Sequence, residues 1–120
     1  MEQPYKSIRP FIGSEDFALS RRFYTELGFT ETILFPNLSL FKAGEFGFYL
    51  QDAFVEDWIN NTMVFMEVRD ISSFWNNLVA LHLTDTFRTA RISDIRQQPW
   101  GKVCYVHDPC GILWHFGEFS

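Results

Sequence analysis

The stretch that decides the fold is MVFMEVRDISSFWNNLVAL, which runs from Met63 to Leu81. Its first part alternates between two sets of side chains: Val64, Met66 and Val68 against Met63, Phe65 and Glu67. This period of two predicts a strand. Asp70 then stands where a helix N-cap is expected, and the apolar residues that follow it recur at helical spacing: Ile71, Phe74, Trp75, Leu78 and Leu81. The stretch therefore predicts a strand followed directly by a helix.

The same plan occurs once earlier, since Asp16 stands 54 positions before Asp70 and follows a strand-like stretch over 7–14. The helix after it carries an apolar face and stops at Gly28. Three extended segments follow each helix: 29–35, 38–43 and 45–51 in the first copy, and roughly 86–95, 102–107 and 112–118 in the second. We therefore predict an α+β fold of two βαβββ modules, about 1–52 and 62–120, with a linker over 53–61.

Composition limits the class of protein. The chain has 120 residues, enough for one domain, and a net charge of −5, which disfavours nucleic acid as a partner. No apolar run approaches the length of a membrane span, and the first residues lack a signal-peptide pattern, so we expect no membrane partner and a cytoplasmic location. Cys104 and Cys110 are then most simply free thiols. Aromatic residues make up 18% of the chain, more than the core needs, which indicates that some line a site.

Three stretches resemble one known family. Asp16-x3-Ser20-x2-Phe23-Tyr24-x2-Leu27-Gly28-Phe29 resembles the first helix motif of the glyoxalase/bleomycin resistance protein/extradiol dioxygenase superfamily, also called vicinal oxygen chelate. Asp108-Pro109-Cys110-Gly111-Ile112-Leu113-Trp114-His115-Phe116 resembles its last turn and strand, with Cys110 in place of the common Asp or Ala. Pro99-Trp100-Gly101 is similar to the version in bleomycin resistance proteins. The resemblance spans nearly the whole chain.

The resemblance implies paired modules whose curved mixed sheets form a cup, and usually a homodimer. Enzymes of the family hold a metal with four cup residues, and their positions correspond here to Arg9, Tyr49, Met63 and His115. The family uses His, Glu or Gln at these positions, and of the four residues only His115 is a ligand of that kind. One imidazole does not hold a hard divalent metal. We therefore expect no metal and no other cofactor.

Strand alternation predicts what fills the cup instead. Side chains two positions apart share a face of a sheet, which places Phe11, Tyr49, Phe65, Glu67 and His115 in the cup. The opposite faces are apolar and are expected to lie under the helices: Ile8 and Ile12, Phe46, Phe48 and Leu50, Val64, Met66 and Val68, and Ile112, Trp114 and Phe116. Phe11 and Phe65 are equally compatible with a core role, Glu67 with an ion pair to Arg9, and His115 with a buried hydrogen-bonded histidine.

Three aromatic residues on connections complete the predicted ligand site. Trp100 precedes a strand, and in the drug-binding proteins that its stretch resembles the tryptophan lines the ligand groove. Phe54 and Trp58, in the linker, are in position to reach that groove from a partner subunit. Aromatic walls beside acidic groups suit a planar cation, and the candidate acids are Glu56, Asp57 and Glu67.

Three functions fit these features. The first is a metal-free binding protein of the bleomycin-resistance type, which sequesters a hydrophobic or cationic small molecule in an aromatic groove at a dimer interface. The second is a lyase, isomerase or dioxygenase-like enzyme of the same fold with a non-standard site, for which only Glu67, His115 and Tyr49 are candidate bases. The third is a non-catalytic sensor or partner-binding module. The incompatible set of metal-position residues favours the first.

Overall fold

The computed structural model describes residues 4–120, which contain nine strands and four helices. In chain order these elements are β1 (Phe11–Gly13), α1 (Phe17–Leu27), β2 (Thr30–Phe35), β3 (Leu38–Ala43), β4 (Phe46–Gln51), α2 (Glu56–Asn60), β5 (Met63–Glu67), α3 (Ile71–Ala80), α4 (Leu83–Thr86), β6 (Arg91–Ile92), β7 (Arg96–Gln98), β8 (Gly101–His107) and β9 (Leu113–Phe119). Among these residues, no helix is long and apolar enough to cross a membrane.

The strands form two open sheets with the same internal order. The first sheet runs β1-β4-β3-β2, and the second runs β5-β9-β8-β6, with β7 also paired to β8. In each sheet the first strand pairs in parallel with the last strand of its module, and the remaining pairs are antiparallel. The predicted α+β fold of two βαβββ modules with curved sheets is therefore confirmed.

The repeat is visible in the helix caps. The side chain of Asp16 accepts a 3.2 Å hydrogen bond from the amide of Leu19, and that of Asp70 accepts a 3.1 Å bond from the amide of Ser73. Each carboxylate satisfies a first-turn amide that has no partner inside its helix. Gly28 ends α1 with φ of 122°, a conformation that glycine adopts at little cost.

The core lies on the helix side of both sheets and joins the two modules. The ring of Tyr24 on α1 lies 5.0 Å from Phe48 of the first sheet and 5.7 Å from Trp114 of the second. All three side chains are almost completely buried. Because α1 packs on strands of both sheets, the modules share one core.

Two side chains predicted to lie under the helices are outside the core. Strand β1 begins only at Phe11, because Pro10 has no amide hydrogen to continue a strand ladder, and Ile8 is 97% exposed. Phe46 begins β4, beside the turn at Gly44, and is 77% exposed. The predicted alternation therefore holds along the middle of these strands and fails at their ends.

Two short helices occupy stretches where the sequence predicted none. Helix α2 lies inside the predicted linker and is anchored by Ile59, which is 2% exposed. Helix α4 precedes the predicted strand 86–95, of which only Arg91–Ile92 pairs as β6. The interruption has a local cause, because the Ser93 hydroxyl accepts a 2.8 Å hydrogen bond from the amide of Tyr105. A side chain there replaces a backbone carbonyl in the ladder.

Candidate ligand-binding site

Three aromatic rings gather on the face of the second sheet away from the helices, which we call the cup face. Phe65 of β5 lies 5.8 Å from Trp100 and 5.7 Å from Phe119, and Trp100 lies 5.0 Å from Phe119. They remain 45%, 36% and 52% exposed, respectively. We call these three residues the aromatic cluster. Its size and exposure make it the strongest candidate contact surface for an apolar molecule.

Glycine at position 117 makes the cluster possible. A Cβ atom at Gly117 would stand 2.5 Å from Cζ of Phe65 and 3.0 Å from Cη2 of Trp100. Because glycine has no side chain, both rings lie directly on strand β9. The cluster is therefore built on backbone rather than on a further layer of side chains.

Trp100 is held in place by Ser120, the residue after β9. It lies in the turn between β7 and β8. Its carbonyl oxygen accepts hydrogen bonds from the amide and the hydroxyl of Ser120, at 3.0 and 3.1 Å. The turn that carries this indole is thus fixed to the strand that carries Phe119.

Next to the cluster, the strand register brings two further rings into line. Phe65 pairs with His115, and His115 pairs with Tyr105 on β8. Their ring centroids are 6.3 Å apart for the first pair and 5.0 Å apart for the second. His115 is half-buried on the cup face, as the alternation predicted.

A pocket of about 420 Å³ continues this row to the edge of the sheet. Its walls are formed by β6, the residue after it, β7, β8 and β9: Arg91, Ile92, Ser93, Arg96, Tyr105, His107 and Leu113. The guanidinium carbon of Arg96 lies 5.9 Å from the ring centroid of Tyr105, a cation–π contact. We call this cavity the arginine pocket.

The first sheet carries a smaller aromatic pair. Phe11 and Tyr49 are adjacent in the register and stack with centroids 5.0 Å apart. Arg9 lies 5.9 Å from the Tyr49 ring centroid and donates a weak 3.4 Å hydrogen bond to its hydroxyl. Within residues 4–120, its buried Nε has no hydrogen-bond partner.

The structure does not bring the predicted site residues into one cavity of a single chain. In the part of the chain that the structure describes, no ring contact links Phe11 or Tyr49 to Phe65, Trp100 or His115. The alternative ion pair between Arg9 and Glu67 is not formed there either. The candidate residues therefore make two half-sites, one on each sheet.

The remaining predicted residues lie around these half-sites. Glu67 is exposed and lines a cleft of about 570 Å³ between β4 and β5, together with Phe65, Phe46 and the arm before β1. Phe54 and Trp58 are 49% and 66% exposed in the segment between the modules and stack on no ring among residues 4–120. Phe11 and Phe65 are both too exposed to be core residues.

The positions that hold the metal in enzymes of the family that the sequence resembles are occupied here by Arg9, Tyr49, Met63 and His115. Arg9 contacts the ring of Tyr49, and His115 contacts the ring of Tyr105. Among residues 4–120, no group of three or more His, Cys, Asp or Glu side chains is arranged to hold a metal ion. Cys104 is buried, and burial raises the pKa of its thiol to about 11.

Sequence reasoning missed six residues of the candidate site: Arg91, Arg96, Tyr105, His107, Gly117 and Phe119. Four of them could have been found from parity alone, because Tyr105 and His107 share a face of β8, and Gly117 and Phe119 continue the face of His115 on β9. The two arginines lie on short strands that periodicity does not reveal.

No family model matches the chain, and the search of curated proteins likewise returns no match. Solved structures do match the chain. A bleomycin-binding protein from bleomycin-producing Streptomyces verticillus, complexed with copper(II)-bleomycin, aligns at 18% identity with a TM-score of 0.80, over 99% of this chain and 100% of that one. An antibiotic-binding protein from Streptomyces sp. CB03234 aligns at 16% identity with a TM-score of 0.75, over 99% and 100%.

A lactoylglutathione lyase from Agrobacterium tumefaciens aligns at 18% identity with a TM-score of 0.71, over 97% of this chain and 96% of that one. At these identities the alignments show the fold. The fold that the sequence motifs predicted, that of the bleomycin-resistance and glyoxalase proteins, is therefore confirmed.

Proposed function

We propose, from this shared fold and from the cup face, that the protein binds a small, planar, largely apolar organic molecule and releases it unchanged. The observation that carries the proposal is the aromatic cluster, in which Phe65, Trp100 and Phe119 stay exposed around Gly117. Exposing contiguous aromatic surface to water is unfavourable, and such surfaces in monomers commonly mark binding sites. The cluster offers the stacking and edge contacts that an aromatic molecule uses.

The comparisons support binding rather than a particular ligand. Two of the similar structures are described as a bleomycin-binding and an antibiotic-binding protein, and both align over the whole of their own length. The lactoylglutathione lyase aligns with a lower TM-score. The proposal in its more specific form is therefore that the protein binds an antibiotic-like molecule.

The proposed site works without a metal. The side chains at the four metal positions include a guanidinium, which is always cationic, and a thioether, which is a soft ligand. Together with one phenol and one imidazole they do not form the oxygen and nitrogen set that a hard divalent cation needs. Three of the four positions, Arg9, Tyr49 and His115, instead make contacts with aromatic rings.

The proposed groove is completed by a second copy of the chain. The two half-sites on the two sheets are both exposed and do not meet in one chain. A homodimer that places the first sheet of one subunit opposite the second sheet of the other would join them. Phe54 and Trp58 are exposed and would line the same groove. A protein that sediments as a monomer at micromolar concentration contradicts this part of the proposal.

The enzymatic alternative has less support in the geometry. A lyase or isomerase needs a base within hydrogen-bond reach of its substrate proton. Within one chain the three candidate bases do not gather, since Tyr49 lies on the first sheet, His115 contacts Tyr105 and Glu67 lines the cleft between β4 and β5. Nothing in their arrangement favours a reaction over binding.

The test is calorimetric titration with 1-naphthalenemethanol, a neutral planar probe. We expect saturable binding, and we expect Trp100→Ala to weaken it at least severalfold because one wall of the cluster is lost. The matched control is Ile33→Ala, which truncates a 62% exposed apolar residue on β2, away from the cluster. Equal affinity of wild type and Trp100→Ala contradicts the proposal.

A further inference from the structure

We propose that the arginine pocket is the acid-binding end of the same groove, so that the ligand is an aromatic carboxylate rather than a cation. This inference rests on the proposed function and specifies its ligand class. It also reverses the charge that the acidic composition suggested. The proposal depends on the charge of the side chains that line the pocket and not on the net charge of the chain.

The pocket concentrates cationic side chains. Arg91 and Arg96 line it together with His107, and no carboxylate from residues 4–120 lines its walls. The chain as a whole has 15 acidic and only 10 basic residues, so the two arginines give this pocket the opposite sign of charge to the chain. Ion pairs elsewhere in residues 4–120 join Arg21 to Glu31 and His82 to Asp85, which leaves both pocket arginines without a carboxylate partner there.

The strand register forces two of these groups together. Arg91 of β6 pairs directly with His107 of β8. Residues directly opposite in an antiparallel pair have Cβ atoms about 4.5 to 5.5 Å apart. An anion placed between them can accept hydrogen bonds from the guanidinium of Arg91 and from an imidazole N–H of His107.

The guanidinium groups of Arg91 and Arg96 are held in place, but several of their N–H donors have no partner among residues 4–120. Nη1 of Arg91 donates to the carbonyl oxygens of Arg88 and Ala90, both at 3.0 Å, which holds this side chain at the pocket edge. Arg96 stacks on Tyr105 and makes no hydrogen bond to another described side chain. A guanidinium has five N–H donors in a planar fork that matches a carboxylate. Donors therefore remain for an oxyanion.

The pocket and the aromatic cluster form one continuous surface. The guanidinium of Arg96 contacts the ring of Tyr105, and Tyr105 contacts His115. His115 in turn stacks on Phe65, which lies beside Trp100. The part of this row from Tyr105 to Phe65 crosses β8, β9 and β5, which spans about 10 Å at the usual strand spacing, and the Arg96 guanidinium lies 5.9 Å from the Tyr105 ring. A fused-ring acid that lies along the row can place its carboxylate toward Arg96 while its rings contact Tyr105 and His115 and extend toward Phe65.

The experiment compares three probes that share one ring system: 1-naphthoate, 1-naphthalenemethanol and 1-naphthylmethylammonium. We expect 1-naphthoate to bind about tenfold more tightly than the neutral probe and the ammonium probe to bind most weakly. The double variant Arg91→Gln, Arg96→Gln removes the advantage of 1-naphthoate over 1-naphthalenemethanol, measured as the ratio of their two dissociation constants. Arg69→Gln, at an exposed arginine outside the pocket, is the control that keeps the advantage.

The outcomes separate this inference from the proposed function. If all three probes bind equally, or if the double arginine variant keeps the preference for 1-naphthoate, the acid-binding pocket is wrong while the aromatic site stands. If no probe binds, or if binding is indifferent to Trp100→Ala, the proposed function itself is wrong. Added salt provides an independent check, because it weakens 1-naphthoate binding more than binding of the neutral probe.

Discussion

The hydroxyl of Tyr24, on the first helix, donates a 2.5 Å hydrogen bond to the carboxylate of Asp108, on the turn before the last strand. The indole nitrogen of Trp114 donates to the same Tyr24 oxygen at 2.9 Å. Asp108 also accepts bonds from the amides of Cys110 and Ile112, both at 2.9 Å. This buried network joins the two modules that carry the two half-sites.

Tyr24→Phe should therefore destabilise the fold. The substitution leaves a buried indole N–H without its partner and removes one donor from a buried carboxylate, at a cost of about 1 to 3 kcal/mol in the free energy of unfolding. Urea unfolding followed by far-ultraviolet circular dichroism measures the effect. The control is Tyr5→Phe, at a tyrosine that is 79% exposed, for which we expect no change. Equal loss in both variants would show that the network contributes nothing specific.

The raised pKa of Asp108 should determine the sign with which the free energy of unfolding changes with pH. Burial raises the pKa of this carboxyl above its usual value, although its hydrogen bonds act in the opposite direction. The folded protein then holds its proton to higher pH than the unfolded chain, whose aspartates titrate near about 3.9. The contribution of Asp108 is therefore greatest below that pH and declines as the pH rises through the folded pKa.

Asp108→Asn tests this sign. The difference in unfolding free energy between wild type and variant should be largest near pH 4 and should shrink toward pH 7. Glu31→Gln is the control of opposite sign, because hydrogen bonds from Arg21 and Ser39 outweigh the effect of burial and lower the pKa of Glu31. Its difference should shrink on acidification. A difference for Asp108→Asn that grows with pH contradicts the raised pKa.

Gly117→Ala should damage binding more than folding. The new methyl group overlaps the ring ends of Phe65 and Trp100, which are exposed and free to swing outward, so the loss of stability should stay within about 1 kcal/mol. The displaced rings no longer form the cluster, and affinity for 1-naphthalenemethanol should fall severalfold. Unchanged affinity together with an unchanged tryptophan emission maximum would show that the rings tolerate the methyl group in place.

Removing metal ions should leave binding intact. Protein purified without a histidine tag should contain far less than one equivalent of Zn, Ni, Mn or Fe by elemental analysis. Its affinity for 1-naphthalenemethanol should be the same before and after treatment with EDTA. One equivalent of metal that disappears in His115→Ala is the contrary result, and it would move the enzymatic alternative ahead.

The sequence by itself determined the elements and the faces of their strands. Periods of two and of about 3.6 report which side of a strand or helix is apolar, and short caps such as Asp16 and Asp70 depend on neighbouring residues only. For this reason the repeated modules, the cup parity of Tyr49, Phe65 and His115 and the shared fold were all predictable.

Only the tertiary structure decided which residues meet across strands. Phe119 reaches Trp100 because Ser120 bonds to a turn 20 residues away, and Arg91 reaches His107 through strand register. Strand ends also escape periodicity, since Ile8 leaves the sheet where Pro10 interrupts its ladder. Alternation specifies a face but not the neighbour on that face. The aromatic cluster and the arginine pocket therefore exist only in the folded chain.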